Sequence, residues 1–252
     1  MFVTASSWSL KIVAPGNLPL SLCTGHLAIA RSLLRRQNTS PGGISVVSVD
    51  LRGHGESDKP PGPYPIAAYA DDIAYIIEQV GLSKIVAVGH SMGGVIVLQL
   101  AAAHLDCVAA IVMVDPPLVF SPERRAVMEA MVAATEAGND EPRSQWVKNM
   151  FLPTSDRRLM EEVVAVMLSA PPQVAASAVR GVLEFDSPAA AALCPVPALH
   201  LAASPPRMPP ASIRERLPNI VDGCTVGAGH FNQLEAPDQG NAMIEAFLRH
   251  YL

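Results

Sequence analysis

The chain is short of charge: Asp, Glu, Lys and Arg together make up 16% of its 252 residues, against roughly 25% in an average soluble protein. The net charge is −5 and the Lys and Arg residues are scattered. The basic footprint that attracts a nucleic acid backbone is therefore missing, and nucleic acid is not an expected partner. Cysteine is scarce as well. Cys23, Cys107, Cys194 and Cys224 lie far apart, with neither a C-x-x-C pair nor metal-type spacing. That argues against a disulfide framework and for four buried thiols in a reducing, cytoplasmic setting. No apolar run reaches the ~18 residues that a bilayer span requires; the longest, around Val95 to Ala103, ends at His104. Ser6, Ser7, Ser9 and Lys11 break up the apolar residues at the start, so no secretory signal and no membrane association are expected. H-E-x-x-H is absent, and no G-x-x-x-x-G-K follows a strand, which leaves no reason to expect a metal or a nucleotide.

What is present is apolar substance. Half of the residues are hydrophobic and the mean hydropathy is +0.27, enough to bury a large core within one domain. The 23 prolines exceed the usual share of ~5%. Such a composition suits an enzyme with wide apolar surfaces, either around a substrate groove or at a homodimer contact.

Short continuous apolar runs alternate with longer amphipathic stretches, the pattern of a mostly parallel sheet with helices on both faces. Strands are predicted at Leu10 to Ala14, Ile44 to Val49, Ile85 to Val88, Val108 to Val114, Pro197 to Ala202 and Cys224 to Val226. Helices are predicted at Ile66 to Val80, Gly94 to Ala103 and near the C-terminus around Ile244, Phe247 and Leu248. From about Leu118 to Pro188 the strand signal gives way to helical segments, the first with Ser121 as N-cap and Pro122 at its opening position. This predicts an α/β core formed by residues 1–117 and 189–252, with a helical cap inserted at 118–188.

Gly89-His90-Ser91-Met92-Gly93 follows a predicted buried strand and precedes a predicted helix, the context in which G-x-S-x-G marks an exposed nucleophile on a sharp turn. A serine hydroxyl needs a general base and a third group that fixes the base's tautomer. Gly229-His230-Phe231 sits on a glycine-flanked loop after the last predicted strand and makes His230 the candidate base. His90 is read as a brace for the turn, His104 and His250 lie near helix ends, and His26 and His200 show no partner pattern.

Four segments together resemble the α/β-hydrolase superfamily, in its lidded, esterase-like branch: Asp50-Leu51-Arg52-Gly53-His54-Gly55-Glu56-Ser57-Asp58, the turn Gly89 to Gly94, Val112 to Pro116, and Gly229-His230-Phe231-Asn232-Gln233-Leu234-Glu235-Ala236-Pro237. The resemblance implies a parallel-sheet hydrolase with a helical cap, a Ser-acid-His triad and no cofactor. The Arg52-Gly53-His54-Gly55 turn is read as structural. Relatives usually place the acid after the strand that here ends in Ala202-Ala203-Ser204-Pro205-Pro206, where no carboxylate occurs. Asp115, at the carboxyl end of the strand that follows the serine helix, is the expected acid instead. Glu184, Asp186 and Asp222 are weaker because none sits at such a strand end.

For the oxyanion hole, the N–H of Met92 is one expected donor. The second is expected from Asn17 or Leu18, in the loop Pro15-Gly16-Asn17-Leu18. An alternative puts that loop at Thr4 to Trp8, with the first strands missing. The resulting expectation is a serine hydrolase acting on a small hydrophobic carboxylic ester, lactone or thioester. Carbon–carbon bond hydrolysis, perhydrolysis and a non-catalytic receptor role are the alternatives.

Overall fold

Runs of β-branched residues build the centre of the molecule, and their pairing is visible in a computed structural model that describes residues 9–15, 44–79, 81–208 and 210–252. Six strands form one sheet: β1 (Ser9–Pro15), β2 (Ile44–Asp50), β3 (Ile85–His90), β4 (Val108–Val114), β5 (Ala198–Ala202) and β6 (Val221–Cys224). Their order across the sheet is β2-β1-β3-β4-β5-β6. From β3 to β6 every pairing is parallel, whereas β1 is antiparallel to both of its neighbours. Sequence position alone does not show β1 inserted between β2 and β3, because strand order is set by long-range pairing.

Alternation along the central strands feeds two apolar layers. Ile85, Ala87, Ile111 and Met113 face α1 (Ile66–Gln79) and α2 (Met92–Ala103), while Val86, Val88, Val112 and Val114 face Ile244 and Phe247 of α10 (Pro237–Tyr251). Helix α1 buries Ile66, Tyr69, Ala70, Ile73 and Ile77, the spacing of a one-sided helix. Helix α2, MGGVIVLQLAAA, is buried nearly all round, as expected of a helix that is apolar on every face.

Between β4 and β5 the chain runs through α3 (Pro122–Glu136), α4 (Glu141–Lys148), α5 (Arg157–Leu168), α6 (Pro172–Glu184) and α7 (Ser187–Ala192). The Ser121 hydroxyl accepts a hydrogen bond from Arg124 N–H at 3.2 Å and caps α3. Met128, Met131 and Val132 of α3 pack on Ala176, Val179 and Leu183 of α6, while Val147, Met150, Val163 and Met167 pack on Phe231. The remaining helices are α8 (Pro210–Arg214) and α9 (Asn232–Glu235).

Two expectations need correction. The last strand is Val221–Cys224, not Cys224 to Val226. Pairing Leu199 with Val221 and His200 with Asp222 fixes the register, and Val226 lies beyond it, 75% exposed. The thiols are not all buried either: Cys107 and Cys194 are half-buried and Cys224 is exposed, all three free. Cys224 ends β6, the edge strand of the sheet among the described residues. Cys23 lies outside the described residues. Among the described residues no single helix is long and apolar enough to cross a membrane.

Candidate active site

Ser91 is the single residue between the end of β3 and the start of α2, and it takes φ 52° and ψ −120°, a conformation that costs an L-residue on the order of 1–3 kcal/mol. The surrounding bonds hold it there. Its N–H donates to Val114 O at 2.8 Å and its carbonyl accepts from Gly94 N–H at 2.8 Å. Glycine is required at 89, since a Cβ would stand 2.0 Å from the Gly93 carbonyl oxygen. Met92 opens α2, so its N–H belongs to the first turn, which has no intrahelical acceptor.

Asp115 follows directly on β4 and has φ 44°; it and Ser91 are the two non-glycine residues with positive φ among the described residues. Strain of this kind concentrates where a side chain must be aimed. The Asp115 N–H donates to Leu201 O at 2.9 Å, Oδ1 accepts from Ala203 N–H at 3.3 Å, and Oδ2 lies 2.5 Å from His230 Nδ1. Burial pushes the carboxyl pKa up, but the His230 contact, the Ala203 N–H and the Arg207 charge outweigh it and hold Asp115 below the usual aspartate value. An ionised carboxylate only accepts, so His230 carries its hydrogen on Nδ1 and presents a lone pair on Nε2. Burial dominates at the imidazole, and its pKa is lowered despite Asp115, with Arg207 and Arg124 adding to the fall.

The loop that carries His230 is tied down at both ends of that residue. Its N–H donates to Met150 O at 3.0 Å, and its carbonyl accepts from His90 Nε2 at 2.8 Å. Burial, then the neighbouring His230, push the His90 pKa down to about 3, which keeps that ring neutral with its proton on Nε2. A Cβ at Gly229 would come within 2.6 Å of Met150 O, so the close approach of the two segments depends on a glycine. Phe231 stacks on Phe151 with centroids 4.7 Å apart and fills the space behind the imidazole.

Ser91, Met92 and His230 line one cavity, roofed by Met128, Trp146, Met150 and Met167 from the helical segment. Two further residues on its wall escaped the sequence reading: Arg124 in the first turn of α3 and Arg207 after β5. Arg124 Nη1 donates to Arg207 O at 3.3 Å across 83 positions, a convergence without any local signature. The signal at Arg207 was its place on the loop that lacks the usual carboxylate.

Other candidates fall elsewhere. Asp186 Oδ1 accepts from Ala189 N–H at 3.0 Å and caps α7, and Glu184 ends α6 without lining the cavity. Asp222 lies inside β6, where it meets His200 Nδ1 at 2.9 Å and Arg214 Nε at 2.5 Å; His200 therefore has a partner that the sequence did not reveal. His54 is buried with Nδ1 2.9 Å from Arg52 O, and Arg52 to Gly55 do not line the cavity. Asn17 and Leu18, like Thr4 to Trp8, lie outside the described residues. The register sets Leu10 opposite Gly89 and Val13 opposite Val86, so the Ser9 end of β1, rather than the Pro15 end, is level with the serine turn.

Comparison with known proteins places the chain in a family. Residues 15–178 match the family model described as the alpha/beta hydrolase fold, and the chain belongs to that family. It is 35% identical over 130 residues to Lipase LipV of Mycobacterium tuberculosis, covering 49% of each protein. It is also 33% identical over 130 residues to the 2-(acetamidomethylene)succinate hydrolase of Mesorhizobium japonicum, covering 50% of this chain and 46% of that protein. The chain thus spans about half the length of these curated relatives. Among solved structures it is similar to a thermophilic esterase from Thermogutta terrifontis, at 26% identity and TM-score 0.74, covering 86% and 84% of the two chains. The fold is also shared with an esterase from Exiguobacterium antarcticum, at 16% identity and TM-score 0.76 over 98% of each chain.

Proposed function

We propose that the protein is a serine hydrolase that cleaves a carboxylic ester, lactone or thioester through an acyl-enzyme formed on Ser91. The observation that carries this reading is the buried Asp115–His230 pair, with Oδ2 2.5 Å from Nδ1, whose imidazole shares a cavity with a serine held at positive φ. His230 Nε2 takes the Ser91 proton as Oγ attacks the carbonyl carbon. The Met92 N–H and a second backbone N–H receive the developing oxyanion. Collapse of the tetrahedral intermediate breaks the bond to the leaving group, which departs with the proton held by His230. His230 then takes a proton from water, the hydroxide attacks the acyl carbon, and the carboxylic acid leaves as Ser91 regains its proton.

The methionine-rich roof supports a small, partly apolar substrate of irregular shape, with helices between 118 and 188 acting as a cap that excludes water. The esterase likeness and the lipase relative support ester chemistry. The test is labelling with a fluorophosphonate together with turnover of p-nitrophenyl esters of graded chain length. Wild type is expected to label at Ser91 and release p-nitrophenol, and Ser91→Ala to do neither. A folded wild-type protein that neither labels nor turns over any ester would overturn the reading.

A further inference from the structure

The largely apolar cavity is lined by two arginines, Arg124 and Arg207, and among the described residues no carboxylate lines the wall with them. Asp115 is the nearby anion, and both of its oxygens are engaged, Oδ2 by His230 Nδ1 and Oδ1 by Ala203 N–H. Arg207 Nε lies 3.9 Å from Asp115 Oδ2, beyond hydrogen-bond reach. That Nε is buried and has no hydrogen-bond acceptor among the described residues, an omission that costs stability unless something else fills it. The residues outside the description, 1–8, 16–43, 80 and 209, include no Asp or Glu, so none of them brings a side-chain carboxylate. With His230 neutral, two fixed positive charges face one negative charge.

From this imbalance we infer that the substrate is itself an anion: an ester or lactone carrying a free carboxylate, which docks between Arg124 and Arg207 while its ester carbonyl meets Ser91. The inference deepens the hydrolase reading and rests on it. A planar guanidinium matches a carboxylate in shape as well as charge, and the match is strongest where water is excluded. One carboxylate neutralises the wall, whereas a neutral ester leaves a partly buried cation uncompensated. Because Arg207 approaches Asp115, the docked carboxylate stands close to the reacting ester, as it does in a monoester of a short dicarboxylic acid.

Two esters of equal acyl length test the idea, p-nitrophenyl hydrogen glutarate and p-nitrophenyl pentanoate, assayed at low salt. Wild type is expected to favour the charged ester in kcat/KM by about tenfold or more, the size of one charge-assisted hydrogen bond. In Arg124→Gln and Arg207→Gln that preference collapses toward unity, chiefly through KM for the charged ester, and Arg124→Lys restores part of it. If Arg207 served only to steady Asp115, its variant would slow both esters alike. In parallel, glutarate binding to Ser91→Ala is measured by calorimetry, and is expected to weaken at least about tenfold when Arg124→Gln is added. The inference falls if glutarate does not bind Ser91→Ala, or if wild type shows no preference. Turnover of the neutral ester with no glutarate binding would sink this inference alone. Glutarate binding without turnover of either ester would instead sink the catalytic reading.

Discussion

Replacing Asp115 by Asn removes a charge and little else, which makes it the sharpest probe of the His230 tautomer. Asn is among the residues that tolerate positive φ, so the 44° at this position does not itself prevent folding. The Ala203 N–H, 3.3 Å from Oδ1, requires an acceptor there and so keeps the amide oxygen on its side. The amide nitrogen then faces His230 Nδ1, where Oδ2 stood at 2.5 Å, and it can only donate. Nδ1 becomes the acceptor, the ring proton moves to Nε2, and no lone pair remains to take the Ser91 proton. Loss of this orientation lowers kcat by up to about 10⁴, or about 5.4 kcal/mol of barrier. The escape is a flipped amide, which leaves Ala203 N–H against a donor and costs about 1–3 kcal/mol. The expected kcat on a p-nitrophenyl ester is therefore lower than wild type by between roughly 10-fold and 10⁴-fold. Far-ultraviolet circular dichroism must show a folded variant. A folded Asp115→Asn protein with kcat within about threefold of wild type would refute the assignment of Asp115 as the orienting acid.

The lowered His230 pKa predicts that kcat/KM rises with pH through a value below the ordinary 6.5 and is flat at neutrality; an acidic limb centred at pH 7 or above contradicts it. Buried His90 and His54, pushed down to about 3 and about 4 chiefly by burial, stay neutral in the fold and take up protons on unfolding below pH 6.5. Their stabilisation is complete above 6.5 and declines as pH falls toward those folded values, by about 1.4 kcal/mol per pH unit for each histidine. Urea midpoints that stay level from pH 6.5 to 5 would contradict this. Gly89→Ala forces a Cβ to within 2.0 Å of Gly93 O and is expected to cost about 3 kcal/mol or more, read as a Tm lower by roughly 6–12 °C. Arg143, its side chain 5% exposed, donates to Asp140, Leu168 O and Ala170 O. Arg143→Ala takes the donor away from the Leu168 and Ala170 carbonyls and is expected to destabilise by about 1–3 kcal/mol and to open the 118–188 helices to limited proteolysis; a protease pattern identical to wild type would count against it.

What was legible from sequence follows the range of each signal. The serine turn is local: an apolar strand, glycines and an apolar helix occupy neighbouring positions. Residues 108–114 read as a strand because their apolar run is unbroken, and Asp115 drew attention by standing at its end. Strand β6 was misplaced because Asp222 is tolerated inside it by His200 and Arg214, partners that a local window does not see. The order β2-β1-β3 and the meeting of Arg124 with Arg207 are likewise products of distant pairing. Asn17 and Leu18 were expected to supply an oxyanion donor, yet the antiparallel direction of β1 was invisible in a short apolar run. The carboxylate-binding wall stayed hidden because each arginine alone looks like an ordinary surface charge.

The peptide hydrogen of residue 230 is held by a carbonyl two residues past the end of α4, and its peptide oxygen by the ring just ahead of the serine. Grafting a foreign helical insert onto this scaffold would thus be more than an exchange of ceiling: unless the newcomer supplied an oxygen at the same spot, the imidazole would lose its mooring. Exchanging the roof's side chains leaves this mooring in place, whereas rerouting its backbone does not.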